Sequence, residues 1–215
     1  MEDWDELIQL LRKKKLITLS KKKNHFKRTI IFYSLLDYIM AKFITMNFKK
    51  HRADLISLEV AHTNYYMEQY KICYNIEFTD FFFKKITLQE AVERDIYDIY
   101  KLFNPPDGIC YLIEEDGIII GKGALQKFNE EYGEIKGMFI RPEFRGNGYG
   151  KLLVKKLLKK GNEIGYKGIY LDTRPFMTTA LHIYRSEGFE ERDEYQEFKG
   201  RPILKPTMIY MEKRF

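Results

Sequence analysis

Apolar positions along the chain fall into two rhythms. From 151 to 160 they recur at helical spacing: Leu153, Val154, Leu157 and Leu158 share one face, and lysines take the other. That predicts an amphipathic helix. Residues 61–76 and 87–103 predict two more, the second opened by Thr87 with Glu90 three residues on, the pairing of a capping box. Asn104-Pro105-Pro106-Asp107-Gly108 stops it. The apolar runs at 109–113 and 118–125 read as strands, and Asp116-Gly117 between them predicts a tight hairpin. Residues 134–140 and 168–173 predict strands on either side of the amphipathic helix. That β-α-β unit makes the fourth and fifth strands parallel. Residues 189–197 and 207–213 predict a closing hairpin, with Pro202 and Pro206 in its long connection. Residues 54–60 fit either a first strand or the start of a helix. The expected class is α/β in an α+β layered form, a mixed central sheet flanked by helices.

Upstream the pattern changes. Residues 29–44 form the most apolar run, but it is short for a membrane span and contains Asp37 and Lys42. It predicts a helix packed on its own domain or on a partner, and no membrane span. Charge separates this region from the rest. Residues 1–52 hold 13 basic and 5 acidic side chains, the remainder 24 and 26, so the whole excess of +6 comes from the start of the chain. A basic helical extension over 1–45 and a main domain over 46–215 are the expected division. Contact of residues 12–28 with nucleic acid is the minor reading of that charge; a solvated lysine-rich face is preferred.

Composition adds three constraints. Apolar residues make up 45% and aromatics 15%, enough for a sizeable core. Cys73 and Cys110, far apart and without partnered histidines, predict neither a metal site nor a disulfide framework. The acidic opening Met1-Glu2-Asp3-Trp4-Asp5-Glu6 differs from a secretory leader, so a cytoplasmic protein is expected.

The candidate chemistry lies between the fourth strand and the amphipathic helix. Glycines at 146, 148 and 150 leave several backbone N–H groups free to converge on an anion at the positive end of the helix dipole. The spacing G-x-G-x-G is neither the G-x-G-x-x-G of a dinucleotide site nor a P-loop. Arg145-Gly146-Asn147-Gly148-Tyr149-Gly150 instead resembles the R/Q-x-x-G-x-G/A signature of the GNAT superfamily of acyl-CoA N-acyltransferases. The preceding strand and the segment Ala180-Leu181-His182-Ile183-Tyr184-Arg185-Ser186-Glu187-Gly188-Phe189, similar to that family's A-x-x-L/I-Y-x-x-x-G-F helix, extend the resemblance over residues 50–215.

The resemblance implies a GNAT-type sheet whose parallel strands 4 and 5 splay apart, with acetyl-CoA as co-substrate and no metal. It assigns Met138, Phe139 and Ile140 to the pantetheine and thioester, with a backbone N–H as oxyanion donor. Arg145, Gly146, Asn147, Gly148, Tyr149 and Gly150 take the pyrophosphate. Tyr184 is the implied acid at the sulfur, and Glu134 the implied base acting through water, or else a carboxylate binding the acceptor's ammonium. His182 falls on another helix face from Tyr184, and Cys110 reads as a small buried hydrophobe. The implied activity is transfer of the acetyl group of acetyl-CoA to a primary amine of a small molecule or peptide, by direct attack of that amine on the thioester. A regulatory protein that senses acyl-CoA and contacts nucleic acid through its basic start is the alternative; a homodimer is left open.

Overall fold

A computed structural model describes residues 41–78, 86–195 and 202–215. The basic clusters at 12–28 and the expected extension up to residue 40 lie outside them. In chain order the elements are β1 (Lys42–Thr45), α1 (Phe48–Tyr74), α2 (Leu88–Tyr100), β2 (Ile109–Glu115), β3 (Ile118–Lys127), β4 (Tyr132–Ile140), α3 (Tyr149–Ile164), β5 (Gly168–Thr173), α4 (Thr178–Ser186), β6 (Glu190–Arg192) and β7 (Ile209–Arg214). The seven strands form one sheet in the order β1-β2-β3-β4-β5-β7-β6. β4 and β5 are parallel, and the other neighbours are antiparallel.

Local chemistry sets most boundaries. Asn47 caps α1 by accepting from the Lys50 N–H at 3.0 Å, and Asn75 ends it in the left-handed region at φ 53°. Residues 54–60 are therefore helical, which settles the open choice. The capping box of α2 has both of its bonds: the Glu90 N–H donates to Thr87 Oγ1, and the Thr87 N–H to Glu90 Oε2. Asp116 and Gly117 both take positive φ, 51° and 79°, the pattern of a type I′ turn. One expectation is corrected. Lys42–Thr45 is an edge strand, not the end of a helical extension, because Ile44 and Thr45 suit the open edge of β2 and pair with Leu112 and Tyr111.

The sheet separates two apolar layers. On one face α3 lays Leu153, Val154 and Leu157, all fully buried, over Ile113, Leu125, Ile135 and Leu171. Each such side chain contributes about 1.5–3 kcal/mol relative to exposure. On the other face α1 and α2 bring Leu55, Leu58 and Ile96 against Cys110, Leu112 and Ala124. β2 alternates cleanly between them, Ile109 and Ile113 to the first layer, Cys110 and Leu112 to the second.

The second layer also holds a charge pair. Lys122 on β3 is 2% exposed, and its Nζ lies 2.6 Å from Glu59 Oε1 on α1. The Tyr100 hydroxyl donates to the same oxygen at 2.8 Å, and His62 Nδ1 stands 3.8 Å from Glu59 Oε2. Burial pushes the Glu59 carboxyl up, but the Lys122 ammonium and His62 outweigh it and hold it well below the usual range. Burial also lowers the His62 imidazole, against its hydrogen bond to Glu59.

A chain beginning at Met46 lacks β1 and is expected to melt below one beginning at Ala41 in calorimetry; equal melting temperatures would put β1 outside the cooperative unit. Lys122→Met leaves Glu59 buried without its counter-charge and should cost about 3–5 kcal/mol, most of it recovered by adding Glu59→Gln. Because the folded-state pKa of Glu59 is depressed, its stabilisation is present above about pH 4.5 and is lost as pH falls below that. Thermal melts should therefore show wild type losing more stability than Glu59→Gln on acidification through that range.

Candidate active site

The site begins where two strands part. β4 and β5 pair from Tyr132↔Gly168 to Ile135↔Leu171 and then stop. On its other side β4 stays paired to β3 but takes one extra residue: Ala124 faces Lys136, while Lys122 faces Phe139. Gly137 sits in this bulge at φ 62°, a conformation that favours glycine. The bulge exchanges the faces of the residues beyond it. Glu134 and Lys136 point to the α1/α2 side; past Gly137, Met138 and Ile140 pack with the α3 layer and Phe139 with the α1/α2 layer. The edge of β4 from 136 to 140 thus turns away from β5, and a cleft opens between them.

A cavity of about 510 Å³ fills the cleft. Its floor is Met138, Phe139 and Ile140, and one end is the loop from Arg145 to the first turn of α3. Gly148 caps that helix at φ 79°, and a Cβ built at Gly146 or Gly148 would meet nothing within 4 Å. The loop thus has open space beside its glycines and leads into the positive end of a 16-residue helix. Among the described residues Arg145 and Lys151 are the cations on the lining, which has no carboxylate. Phe176, Thr178, Ala180, Ile183 and Tyr184 close the far side. A mostly apolar cavity with cationic side chains and a helix N-terminus in its lining matches the chemistry of a ligand that is part apolar and part anionic.

Of the nine residues expected to hold the cofactor, eight line this cavity; Asn147 does not. Its Nδ2 donates to the Phe144 carbonyl at 3.1 Å and closes the loop. Tyr149 lines the wall while its hydroxyl is tied to Glu115 Oε1 at 2.7 Å. Tyr184 reaches the cavity from α4, 5% exposed, with its ring against Phe189. Burial, with Tyr66 and Asp172 nearby, pushes its hydroxyl well above the ordinary phenol value, so it stays protonated.

Glu134 is not on the cavity wall. It lies on the opposite face of the sheet from Tyr184, 1% exposed, where Oε1 accepts from the Tyr195 hydroxyl at 2.6 Å and Oε2 from Gln126 at 2.9 Å. Lys136 Nζ stands 2.7 Å from Glu134 and 2.5 Å from Asp172 of β5, tying the two strands together at the point where they separate. Arg174 continues the chain, bonding Asp172 and the Tyr70 hydroxyl. The sequence showed neither Tyr65 and Phe176 on the lining nor the set of Lys136, Asp172, Arg174 and Tyr70, because their partners come from distant elements; the one local signal is a run of charged residues in otherwise apolar strands. His182 is exposed, and burial pushes the Cys110 thiol up to about 12. Among the described residues no group could hold a metal ion and no helix is long and apolar enough to cross a membrane.

This architecture recurs in solved structures. An acetyltransferase from Streptococcus agalactiae superposes with a TM-score of 0.60 at 19% identity, over 81% of this chain and 98% of that one. PaiA N-acetyltransferase from Thermoplasma acidophilum, solved in complex with coenzyme A, does so with a TM-score of 0.57 at 18% identity, over 81% and 99%. In sequence the chain is 31% identical over 137 residues to an uncharacterized N-acetyltransferase of Schizosaccharomyces pombe, covering 63% of this chain and 80% of the relative. The model of the GNAT acetyltransferase family matches residues 70–189, more than half of the chain, and with the split strands, the glycine loop and the cleft between them it establishes that this protein belongs to that family.

Proposed function

We propose that the protein transfers the acetyl group of acetyl-CoA to a primary amine of a small molecule or peptide by direct attack. The observation that carries this reading is the placement of Tyr184 and Glu134 on opposite faces of the sheet, around one split between β4 and β5. A direct transfer needs its acid at the departing sulfur and its proton acceptor on the amine's side. Acetyl-CoA supplies an activated acyl thioester. Everything else is the work of the chain.

The loop from Arg145 to Gly150 would hold the diphosphate through backbone N–H groups, and Met138 to Ile140 would lie along the pantetheine arm. An N–H of the β4 edge, released from β5 pairing, would donate to the carbonyl oxygen as it gains charge. Tyr184, protonated and almost out of contact with water, would give its proton to the sulfur. On the other face an alkylammonium, with a pKa near 10.4, must lose a proton before it can attack. Glu134 would take that proton through water. A cytoplasmic setting agrees with two unpaired cysteines, one of them exposed.

The test is thiol release from acetyl-CoA with purified protein and a panel of amino acids, polyamines, aminoglycosides and peptides. Tyr184→Phe should lower kcat about ten- to a thousand-fold with acetyl-CoA affinity close to wild type; unchanged turnover would return Tyr184 to the core. Glu134→Gln keeps the shape and removes the charge. It should lower kcat with acetyl-CoA affinity close to wild type. A raised acceptor KM at unchanged kcat would show instead that the carboxylate binds the ammonium group.

A further inference from the structure

Arg145 is held from two sides before any ligand arrives. Its Nε donates to the Ile140 carbonyl at 2.9 Å, at the end of β4. Its guanidinium lies over the ring of Tyr65 at 4.3 Å from the centroid, and 5.7 Å from that of Phe139. Tyr65 comes from α1, eighty residues earlier in the chain, and its own ring lines the cavity beside Arg145. Stacking uses the face of the guanidinium and leaves its in-plane donors untouched. Among the described residues the two terminal nitrogens have no hydrogen-bond or ion-pair partner.

We infer that Tyr65 is a positioning residue, which presents the two terminal nitrogens of Arg145 as a fork for one oxyanion in the cavity. A free arginine on an exposed loop would lose rotamer freedom on binding; one already stacked and bonded has less to lose. The oxyanion is either the diphosphate of the coenzyme or a carboxylate on the amine acceptor, and in that respect the inference rests on the acetyltransferase reading. A cavity lining with Arg145 and Lys151 and no acidic side chain among the described residues suits both sources.

The experiment titrates coenzyme A and pantetheine, which lacks the diphosphate, into wild type, Tyr65→Leu, Tyr65→Phe and Arg145→Gln by calorimetry. In parallel, KM is measured for amino acids and their amides. Tyr65→Leu should weaken coenzyme A about three- to thirty-fold, with pantetheine unchanged and Tyr65→Phe near wild type, if the diphosphate is the ligand. If the carboxylate is the ligand, coenzyme A affinity holds and the preference for acids over amides falls by that factor. In either case adding Tyr65→Leu to Arg145→Gln should cost nothing further, a coupling that loss of simple packing would not produce. A Tyr65→Leu protein that melts like wild type and moves neither quantity overturns the inference, as does full additivity with Arg145→Gln. If no amine releases thiol in the wild-type protein, the acetyltransferase reading and the carboxylate branch fail together, and Tyr65 then stands on the coenzyme A titration alone, where an unchanged affinity in Tyr65→Leu overturns the inference.

Discussion

The structure depends on a disagreement between the two edges of β4. Toward β3 the strand remains hydrogen-bonded along its length, and toward β5 it pairs for four residues and then lets go. One inserted residue at Gly137 reconciles the two. A bulge bends its strand and shifts the alternation of side chains by one. Here that shift sends Phe139 to the α1/α2 layer and Met138 to the α3 layer. Without it the last part of β4 would continue alongside β5, and backbone groups that now border a cavity would be spent on ladder bonds.

The opening must be covered on both faces, and the covers differ in character. On the α3 side the wall is apolar, with Tyr184 as its buried hydroxyl. On the α1 side it is a linked set of charges, in which Lys136 spans Glu134 and Asp172 and Arg174 reaches Tyr70. The opening is therefore asymmetric, apolar on one face and charged on the other. Lys122 and Glu59 do a related job further along α1. Their pairing, with the Tyr100 hydroxyl added, fixes the helix that carries Tyr65 against the sheet. Buried ion pairs are weak sources of net stability but costly to half-remove, so they fix geometry more than they strengthen the fold.

Much of this was readable from residue order where the determinants are local. Thr87 and Glu90 form their box, Asp116-Gly117 makes its turn, and the spacing of Leu153, Val154, Leu157 and Leu158 marks the buried face of α3. The glycine loop follows β4 directly, and the β-α-β connection makes β4 and β5 parallel, so the loop falls at the end where the two strands part, and Tyr184 lines the same cavity from α4. What stayed hidden depends on contacts across the chain. β1 is four residues long within a longer apolar run, so its strand character comes from the open edge of β2. The start of α1 is crowded with Lys49, Lys50 and Arg52, which blur its periodicity. Glu134 reads as a strand-end carboxylate, but its burial is created by Tyr195, 61 positions away, and by the Lys136–Asp172 pair. Lys122, between two glycines in an apolar strand, signals a buried partner without saying which, and Glu59 is 63 positions off.

The most direct test of the account is hydrogen-exchange mass spectrometry of the full chain with and without coenzyme A. If the freed edge of β4 and the loop after it form the coenzyme site, exchange should slow in peptides covering 138–151 and in those covering 176–184, and remain unchanged in β2 and along α2. Saturating binding that leaves 138–151 unprotected would place the coenzyme elsewhere and contradict the claim that the split between β4 and β5 is the site.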